Sequence, residues 1–170
     1  MKNLVSIDTG KKGAAVLWRG NEPLDVYLFE EWEDGIDSNA FDRQLSTWRQ
    51  HWGSLSFAIE RVPTLPNQSV KTTAKQFTAV GQTYAICMIH TVDPIIDFYP
   101  MTWVSFAKKL SDEEFRKLPA KKMTQVIAKK MFPEICKKHT KRVKCHDGVV
   151  DALMIGVYAK RDHFCLEITD

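Results

Sequence analysis

The N-terminal part of the chain constrains the fold most strongly, because it contains three short apolar runs joined by short loops. These runs are residues 4–8, 13–18 and 25–31. Neighbouring parallel strands need a connection of about a dozen residues or more, whereas antiparallel strands can be joined by a tight turn. The sequence therefore predicts a three-stranded antiparallel meander at the N-terminus.

Helical and strand-like patterns alternate after the meander. A helix is predicted over residues 38–51, with Ser38 as its cap, followed by a buried strand, "SLSFAIE", that ends at Glu60. A second helix is predicted over residues 70–90, and a further strand, "PIIDFYP", ends at Tyr99. Later helical patterns cover residues 103–110, 121–132 and 147–161.

These elements define the expected fold class. A chain of 170 residues with 44% hydrophobic residues is typical of one domain with its own core. We therefore expect a single α/β domain over residues 1–170. Its mixed five-stranded sheet would have three antiparallel strands, then parallel strands, and helices on both faces.

The cysteine pattern and hydropathy bear on localisation. The four cysteines (Cys87, Cys136, Cys145 and Cys165) have no framework spacing, which predicts free thiols in a reducing compartment such as the cytoplasm of a bacterium or a phage-infected cell. No signal-peptide pattern is present, and no apolar run approaches the roughly 20 residues that span a bilayer. We expect no membrane partner.

Charge is distributed unevenly along the chain. Residues 101–144 contain 13 Lys and Arg against 4 Asp and Glu, whereas the rest of the chain is acidic, and the total is only +3. A basic segment on an acidic body is typical of a protein that contacts a polyanion on one side. A solvated helix face is the better explanation of such a run when it is taken alone.

Four carboxylates lie at the ends of predicted core elements. Asp8 and Glu60 end two apolar strands, and Asp147 and Asp151 are four residues apart on the last helix, so they share one face. Carboxylates at the edge of a buried face need partners, and Mg²⁺ or Mn²⁺ prefers oxygen ligands. Each residue alone also has a plain structural explanation: a turn for Asp8, a strand end for Glu60, a helix cap for Asp147 and the helix dipole for Asp151.

The turn around Asp8 also occurs in other chemistries. Aspartic proteases carry an Asp-Thr-Gly turn, but here Lys11 follows it, and no second such motif is present. Actin-like sugar kinases place an aspartate beside a phosphate, but they need two lobes. A metal-binding aspartate at the end of the first strand remains the favoured interpretation.

Four segments together resemble the RuvC family of Holliday junction resolvases. They are "SIDTGKKGAAVL", "FAIERV", "AVGQTYAI" and "KCHDGVVDALMIGVYAKR", in this order, and the likeness is greater to the small RuvC-like nucleases of phages and prophages. The resemblance implies a ribonuclease H-like fold, a homodimer that pairs through the helix with "AVGQTYAI", and a role in DNA recombination and repair. It also implies Mg²⁺-dependent cutting of branched DNA such as four-way junctions, with Mn²⁺ as a substitute.

The resemblance also implies site residues. Asp8 and Glu60 match the strand carboxylates of the family, and Asp151 matches the final helical one. Many members have a second helical acid three residues before the last, where this chain has Gly148. Asp147 is the available residue, with His146 beside it as a weaker candidate ligand.

Lys121 or Lys122 matches a family lysine that stabilises the phosphate, and Leu65 is a candidate wedge in the loop after Glu60. Two metal ions about 4 Å apart would activate water and stabilise the leaving oxygen. Asp8 would bridge the two ions, Glu60 and Asp151 would each hold one, and Asp147 would complete the set.

Alternatives remain open at this point. A nuclease of the same fold could act on RNA–DNA hybrids, flaps or forks, and a non-catalytic protein could bind nucleic acid only. A zinc site is a minor alternative, because its spacing matches no standard structural site. Its ligands would be Cys136, His139, Cys145 and His146.

Overall fold

The computed structural model describes residues 3–10, 12–32, 35–62, 67–141 and 144–163. The strands are β1 (Asn3–Asp8), β2 (Ala14–Arg19), β3 (Glu22–Leu28), β4 (Glu31–Trp32), β5 (Gly35–Ile36), β6 (Leu55–Glu60), β7 (Ile96–Phe98), β8 (Thr140–Lys141) and β9 (Lys144–Cys145). The helices are α1 (Ser38–Trp52), α2 (Val70–His90), α3 (Pro100–Leu110), α4 (Ala120–Met131), α5 (Pro133–Lys138) and α6 (Asp147–His163), with a 3₁₀ turn at Phe115–Lys117.

The main sheet has five strands in the order β3-β2-β1-β6-β7. Strand β1 pairs antiparallel with β2 and parallel with β6, and β6 pairs parallel with β7. This arrangement confirms the expected α/β class, with an antiparallel meander followed by parallel strands.

The side chains of β1 alternate between two helical layers. Val5 and Ile7 pack in one apolar cluster with residues of α1 and α2. Leu4 packs on the opposite face in a second cluster with residues of α3, α4 and α6. Because alternate residues of a strand face opposite sides, one apolar strand supplies both cores. Helices therefore cover both faces of the sheet, as predicted.

Helix α6 lies unusually close to the sheet, because small residues recur on the face that it turns to β1 and β2. Gly148, Ala152 and Gly156 are spaced by four residues on that face. Trp18 Nε1 donates to Ser6 Oγ at 2.8 Å, and Ser6 Oγ donates to the carbonyl oxygen of Ala152 at 2.6 Å. These contacts hold α6 in a fixed position along β1.

Gly148 is required by this close approach. A Cβ at this position would overlap the carbonyl oxygen of Lys12 and would lie 2.8 Å from Gly13 Cα. The backbone of the loop cannot withdraw easily, because Gly13 N–H donates to the carbonyl oxygen of Gly10 at 2.7 Å. An acidic side chain at residue 148 would therefore clash with the backbone of residues 12 and 13, and Asp147 is the acidic residue in the first turn of α6.

We expect Gly148→Ala to lower the free energy of unfolding by about 1–3 kcal/mol, as overpacking does in other cores. Gly81→Ala is the matched control, because a Cβ there meets no atom within 4 Å, and alanine favours the helix. Urea unfolding of both variants measures the difference. Equal midpoints for the two variants would show that the loop yields to a Cβ at residue 148.

The structure corrects one helix cap and one strand, and adds several short elements. Asp37, not Ser38, caps α1, because its Oδ1 accepts from the N–H of Ala40 at 2.9 Å. Strand β3 covers Glu22–Leu28, not residues 25–31, because a tight turn at Gly20, with a φ of 57°, pairs Arg19 with Glu22. The strand-breaking Pro23 is tolerated because β3 is an edge strand. The β4–β5 hairpin, α5 and the β8–β9 hairpin are too short to show a period and were not predicted.

Helix α2 covers Val70–His90, the predicted bounds. Cys87, Cys136 and Cys145 are free thiols in the core. Among the described residues, no helix has both the length and the apolarity needed to cross a membrane.

Candidate active site

Asp8 and Glu60 lie side by side at the carboxyl ends of two parallel strands. The register pairs Ile7 of β1 with Ile59 of β6, so the next residue of each strand emerges at the same edge of the sheet. Asp8 Oδ1 accepts a hydrogen bond from the N–H of Gly10 at 3.1 Å. The adjacency expected from strand order is therefore present.

Helix α6 brings two further carboxylates to this edge. Asp147 is its first residue, and Asp151 follows one turn later on the same face. The charge of Asp8 acts on both Glu60 and Asp151, and the charge of Asp151 acts on Glu60. The charge of Asp147 reaches Asp8 and Asp151. Three chain segments therefore supply one acidic cluster, formed by Asp8, Glu60, Asp147 and Asp151.

Burial makes three members of the acidic cluster difficult to ionise together. Burial, with the charge of Asp8 as the second cause, raises the pKa of Glu60 to about 8 and the pKa of Asp151 to about 7. Burial also raises the pKa of Asp8, against the hydrogen bond from Gly10 and the charge of Lys121. A partly buried set of like charges with raised pKa values is a feature of functional sites.

Asp147 has a different environment. Lys144 Nζ lies 2.6 Å and 2.8 Å from its two carboxylate oxygens, and Gln125 Nε2 donates to Oδ1 at 3.1 Å. Burial would raise the pKa of Asp147, but Lys144, Lys121 and Gln125 together lower it. Asp147 is therefore an ionised carboxylate that is already held by protein groups.

The structure separates the two candidate lysines at the start of α4. Lys121 Nζ lies 3.8 Å from Asp147 Oδ2, and its charge lowers the pKa of Asp8 and opposes the rise at Asp151. Lys122 is exposed and forms no ion pair with the described carboxylates of the cluster. Of the two candidates, Lys121 is therefore the one that faces the acidic cluster, where Lys144 also lies.

Trp103 fixes the orientation of Glu60. Its Nε1 donates to Glu60 Oε1 at 3.0 Å, and the indole is buried at 4% exposure on α3. No sequence pattern predicted this contact, the ion pair of Lys144 with Asp147 or the hydrogen bond of Gln125 to Asp147. The only available signals were Lys144 three residues before Asp147, and Gln125 one helical turn after Lys121.

The predicted wedge residue Leu65 lies outside the described residues.

The described residues give the zinc alternative no support. Among the residues that the structure describes, no three His, Cys, Asp or Glu side chains are grouped so that they could hold a metal ion as they stand. The Cys136 and Cys145 thiols instead share a hydrogen bond within the apolar core. His146 lies beside His139, whose pKa is lowered by burial, by Lys138 and by His146.

The same finding bears on the acidic cluster. Its four carboxylates are not arranged as a preformed metal site in the described structure. Their side chains would therefore have to move closer together to bind a cation. The donor chemistry nevertheless fits a hard divalent cation: Asp8, Glu60 and Asp151 offer only oxygen atoms, and their ionised forms repel one another. A bound cation would remove that repulsion.

A polar cleft adjoins Asp8 on the side of α2. It has a volume of about 390 Å³ and is lined by Thr9, Gly10, Thr72, Lys75 and Gln76, among others. Backbone amides, hydroxyls and a lysine are groups that contact phosphate oxygens.

The sheet order, the helices on both faces and the carboxylates at the ends of β1 and β6 define an α/β protein of the ribonuclease H-like fold. Within that fold, the chain is similar to RuvC. A structure titled "T. thermophilus RuvC in complex with Holliday junction substrate" has a TM-score of 0.62 and 13% identity, covering 93% of this chain and 92% of that chain.

Two further structures agree with this likeness. Thermus thermophilus RuvC has a TM-score of 0.57 at 13% identity, covering 94% of this chain and 95% of that chain. The yeast mitochondrial Holliday junction resolvase Ydc2 has a TM-score of 0.58 at 13% identity, covering 96% of this chain and 83% of that chain. No family model matches the sequence, and no curated protein is significantly similar to it. At this level of identity the likeness shows the fold.

Proposed function

We propose that this protein is a metal-dependent endonuclease that cuts branched DNA, with the four-way junction as its preferred substrate. The observation that carries the proposal is the convergence of Asp8, Glu60 and Asp151 from two strand ends and one helix. Burial raises the pKa of all three, and the charge of Asp8 raises the pKa of Glu60 and Asp151 further. The fold shared with RuvC, whose structure holds a Holliday junction substrate, and with the Holliday junction resolvase Ydc2 supports this choice of substrate.

The cluster residues have distinct roles in this proposal. Asp8, Glu60 and Asp151 would hold Mg²⁺ or Mn²⁺. The bound ions would activate water and neutralise charge on the phosphate and the leaving oxygen. Trp103 keeps one oxygen of Glu60 oriented through its hydrogen bond. Asp147 holds Lys144 and Lys121 at the cluster.

Lys121 is the proposed stabiliser of the phosphate. Its ammonium already acts on Asp8 and Asp151, so it lies where negative charge builds up when a phosphodiester is attacked. A preorganised cation at such a point lowers the barrier more than it strengthens ground-state binding.

DNA affinity is proposed to come from the basic segment, residues 101–144. Most of its lysines are exposed on α3, α4 and α5, and Lys121 connects this surface with the acidic cluster. Phosphate contacts release counterions, so junction binding should weaken steeply as salt is added. Added salt should not change the preference among substrates of equal charge.

A homodimer is proposed, because two active sites are needed to cut two opposing strands of one junction. Helix α2 supports this part of the proposal. Its side chains Phe77, Met88 and Ile89 are 47%, 68% and 69% exposed. Exposed apolar residues on one helix are a feature of interaction surfaces.

A panel of synthetic substrates tests the proposed function. A four-way junction, a flap, a fork and an RNA–DNA hybrid would be incubated with Mg²⁺ or with EDTA. We expect paired, symmetric nicks in the four-way junction with Mg²⁺ and none with EDTA. Faster cutting of the hybrid would favour a ribonuclease H-type enzyme, and junction binding without cutting of any substrate would favour a non-catalytic binder.

We expect Lys121→Met to slow single-turnover junction cleavage by about 10- to 100-fold and to change junction affinity by less than about threefold. Lys122→Met is the matched control, because it removes the same charge from the adjacent, exposed position. Its cleavage rate should fall by no more than about threefold. Equal loss of rate in the two variants would contradict the specific role of Lys121.

A further inference from the structure

A second cavity lies far from the acidic cluster. It has a volume of about 490 Å³ and is formed by α4, α6, the end of α3 and the turn that joins β2 and β3. Most of its wall is apolar, as in pockets for small molecules. The apolar side chains include Leu110, Phe115, Ile127, Met131, Phe132 and Val157.

Lys160 is the unusual member of this wall. The residue is only 3% exposed, and its Nζ donates to the carbonyl oxygen of Asn21 at 3.3 Å. Nζ also lies 3.7 Å from the centre of the Trp18 ring, which gives a cation–π contact. An ammonium has three donors, so among the described residues one long hydrogen bond and a ring face leave it incompletely satisfied.

No described carboxylate compensates this charge. Among the ion pairs of the described residues, none includes Lys160. The other charged residues of the cavity wall, Lys130 and Asp112, pair with each other at 3.1 Å. Burial lowers the pKa of Lys160 to about 7, which is the response of an ammonium that lacks an anionic partner.

We propose that this cavity binds a small apolar molecule with a single carboxylate, in the class of medium-chain carboxylic acids. The carboxylate would accept hydrogen bonds from Lys160 Nζ, and the hydrocarbon chain would fill the space beside Ile127 and Val157. A buried ammonium gains most from a ligand that supplies both charge and acceptors. An alcohol of equal length supplies acceptors without charge, and an amine would repel Lys160.

This site is separate from the acidic cluster. Asp151 and Lys160 are nine residues apart on α6, which corresponds to about 13 Å along a helix axis. The proposal therefore does not rest on the nuclease function, and ligand binding can be measured without DNA.

Isothermal titration calorimetry of the full chain with octanoate, octan-1-ol and octylamine tests the proposal. We expect octanoate to bind with one-to-one stoichiometry and at least about tenfold more tightly than octanol, because of the charge-assisted hydrogen bonds. Octylamine should bind more weakly than octanol.

Variants assign the binding to the cavity. Lys160→Met keeps the length of the side chain and should fold well, because it removes a buried charge. It should abolish the preference for octanoate over octanol. Lys71→Met removes an exposed lysine on α2 and should leave the affinity unchanged. Val126→Phe at the cavity wall should weaken both ligands by occupying the space.

Several results would overturn the proposal. They are the absence of octanoate binding at millimolar concentration, equal affinity for octanoate and octanol, and tighter binding of octylamine. Retention of full octanoate affinity in Lys160→Met would show that another cation holds the carboxylate, and would also overturn it.

Discussion

Replacing Asp8 with asparagine is expected to slow metal-dependent cleavage of four-way junctions by at least about 10³-fold, while junction affinity changes by less than about threefold. Asp8 is the carboxylate whose charge reaches both Glu60 and Asp151, so it has the central position in the cluster. Asparagine has nearly the same shape and keeps an oxygen that can accept from the N–H of Gly10. The variant therefore removes charge and spares the turn.

Single-turnover cleavage and gel-shift binding of the same labelled junction measure the two effects separately. Asp42→Asn is the control for loss of one carboxylate charge, because Asp42 is a half-exposed residue of α1, outside the acidic cluster, that pairs with His90 at 2.8 Å. It should cut at the wild-type rate. Cleavage by Asp8→Asn at a rate near that of Asp42→Asn would contradict the assignment of Asp8 as a metal ligand.

The parts of the fold that could be predicted are those with a local signal. Helix α2 has the predicted bounds, because Ser69 caps it through an Oγ that accepts from the N–H of Thr72 at 3.2 Å. The adjacency of Asp8 and Glu60 followed from strand order alone, since both end apolar runs that pair in parallel. Periodicity and capping side chains are local properties, so the sequence carries a signal for them, although the bounds of β3 and the cap of α1 were predicted wrongly.

The details of the site could not be predicted, because they depend on contacts between distant segments. Trp103 and Glu60 are 43 residues apart, and nothing in either neighbourhood indicates their hydrogen bond. The choice of Lys121 over Lys122 depends on how α4 is rotated against α6, which neighbouring side chains decide. The need for glycine at position 148 becomes clear only from the close approach of the backbone of residues 12 and 13.

The sign of the pH dependence follows from the raised pKa values in the cluster. A carboxylate whose pKa is higher in the folded than in the unfolded state stabilises the fold below its unfolded pKa, and this stabilisation is lost as pH rises through the folded pKa. Glu60, with a pKa raised from 4.5 to about 8, and Asp151, raised from 3.8 to about 7, behave in this way. The metal-free protein should therefore lose stability between about pH 5 and about pH 9.

Glu60→Gln should remove one of these charges and raise the melting temperature of the metal-free protein by about 5 °C at about pH 9, with most of the gain absent at about pH 5. Trp103 can still donate to the amide oxygen, so the packing is retained. Asp147→Asn should act in the opposite direction and lower the melting temperature, because the pKa of Asp147 is lowered and its ionised form is the stabilising one.

A divalent cation should restore the stability that the metal-free protein loses at high pH. It binds the ionised carboxylates, and only the folded state brings these carboxylates together. Thermal unfolding at about pH 5 and about pH 9, each with EDTA or with excess Mg²⁺ or Mn²⁺, measures this coupling. Glu113→Gln is the control for Glu60→Gln, because Glu113 is exposed. Metal should change the melting temperature of this variant as it does that of the wild-type protein. A wild-type melting temperature that metal does not change at either pH would show that Asp8, Glu60 and Asp151 do not close on a cation, and the nuclease proposal would fail with it.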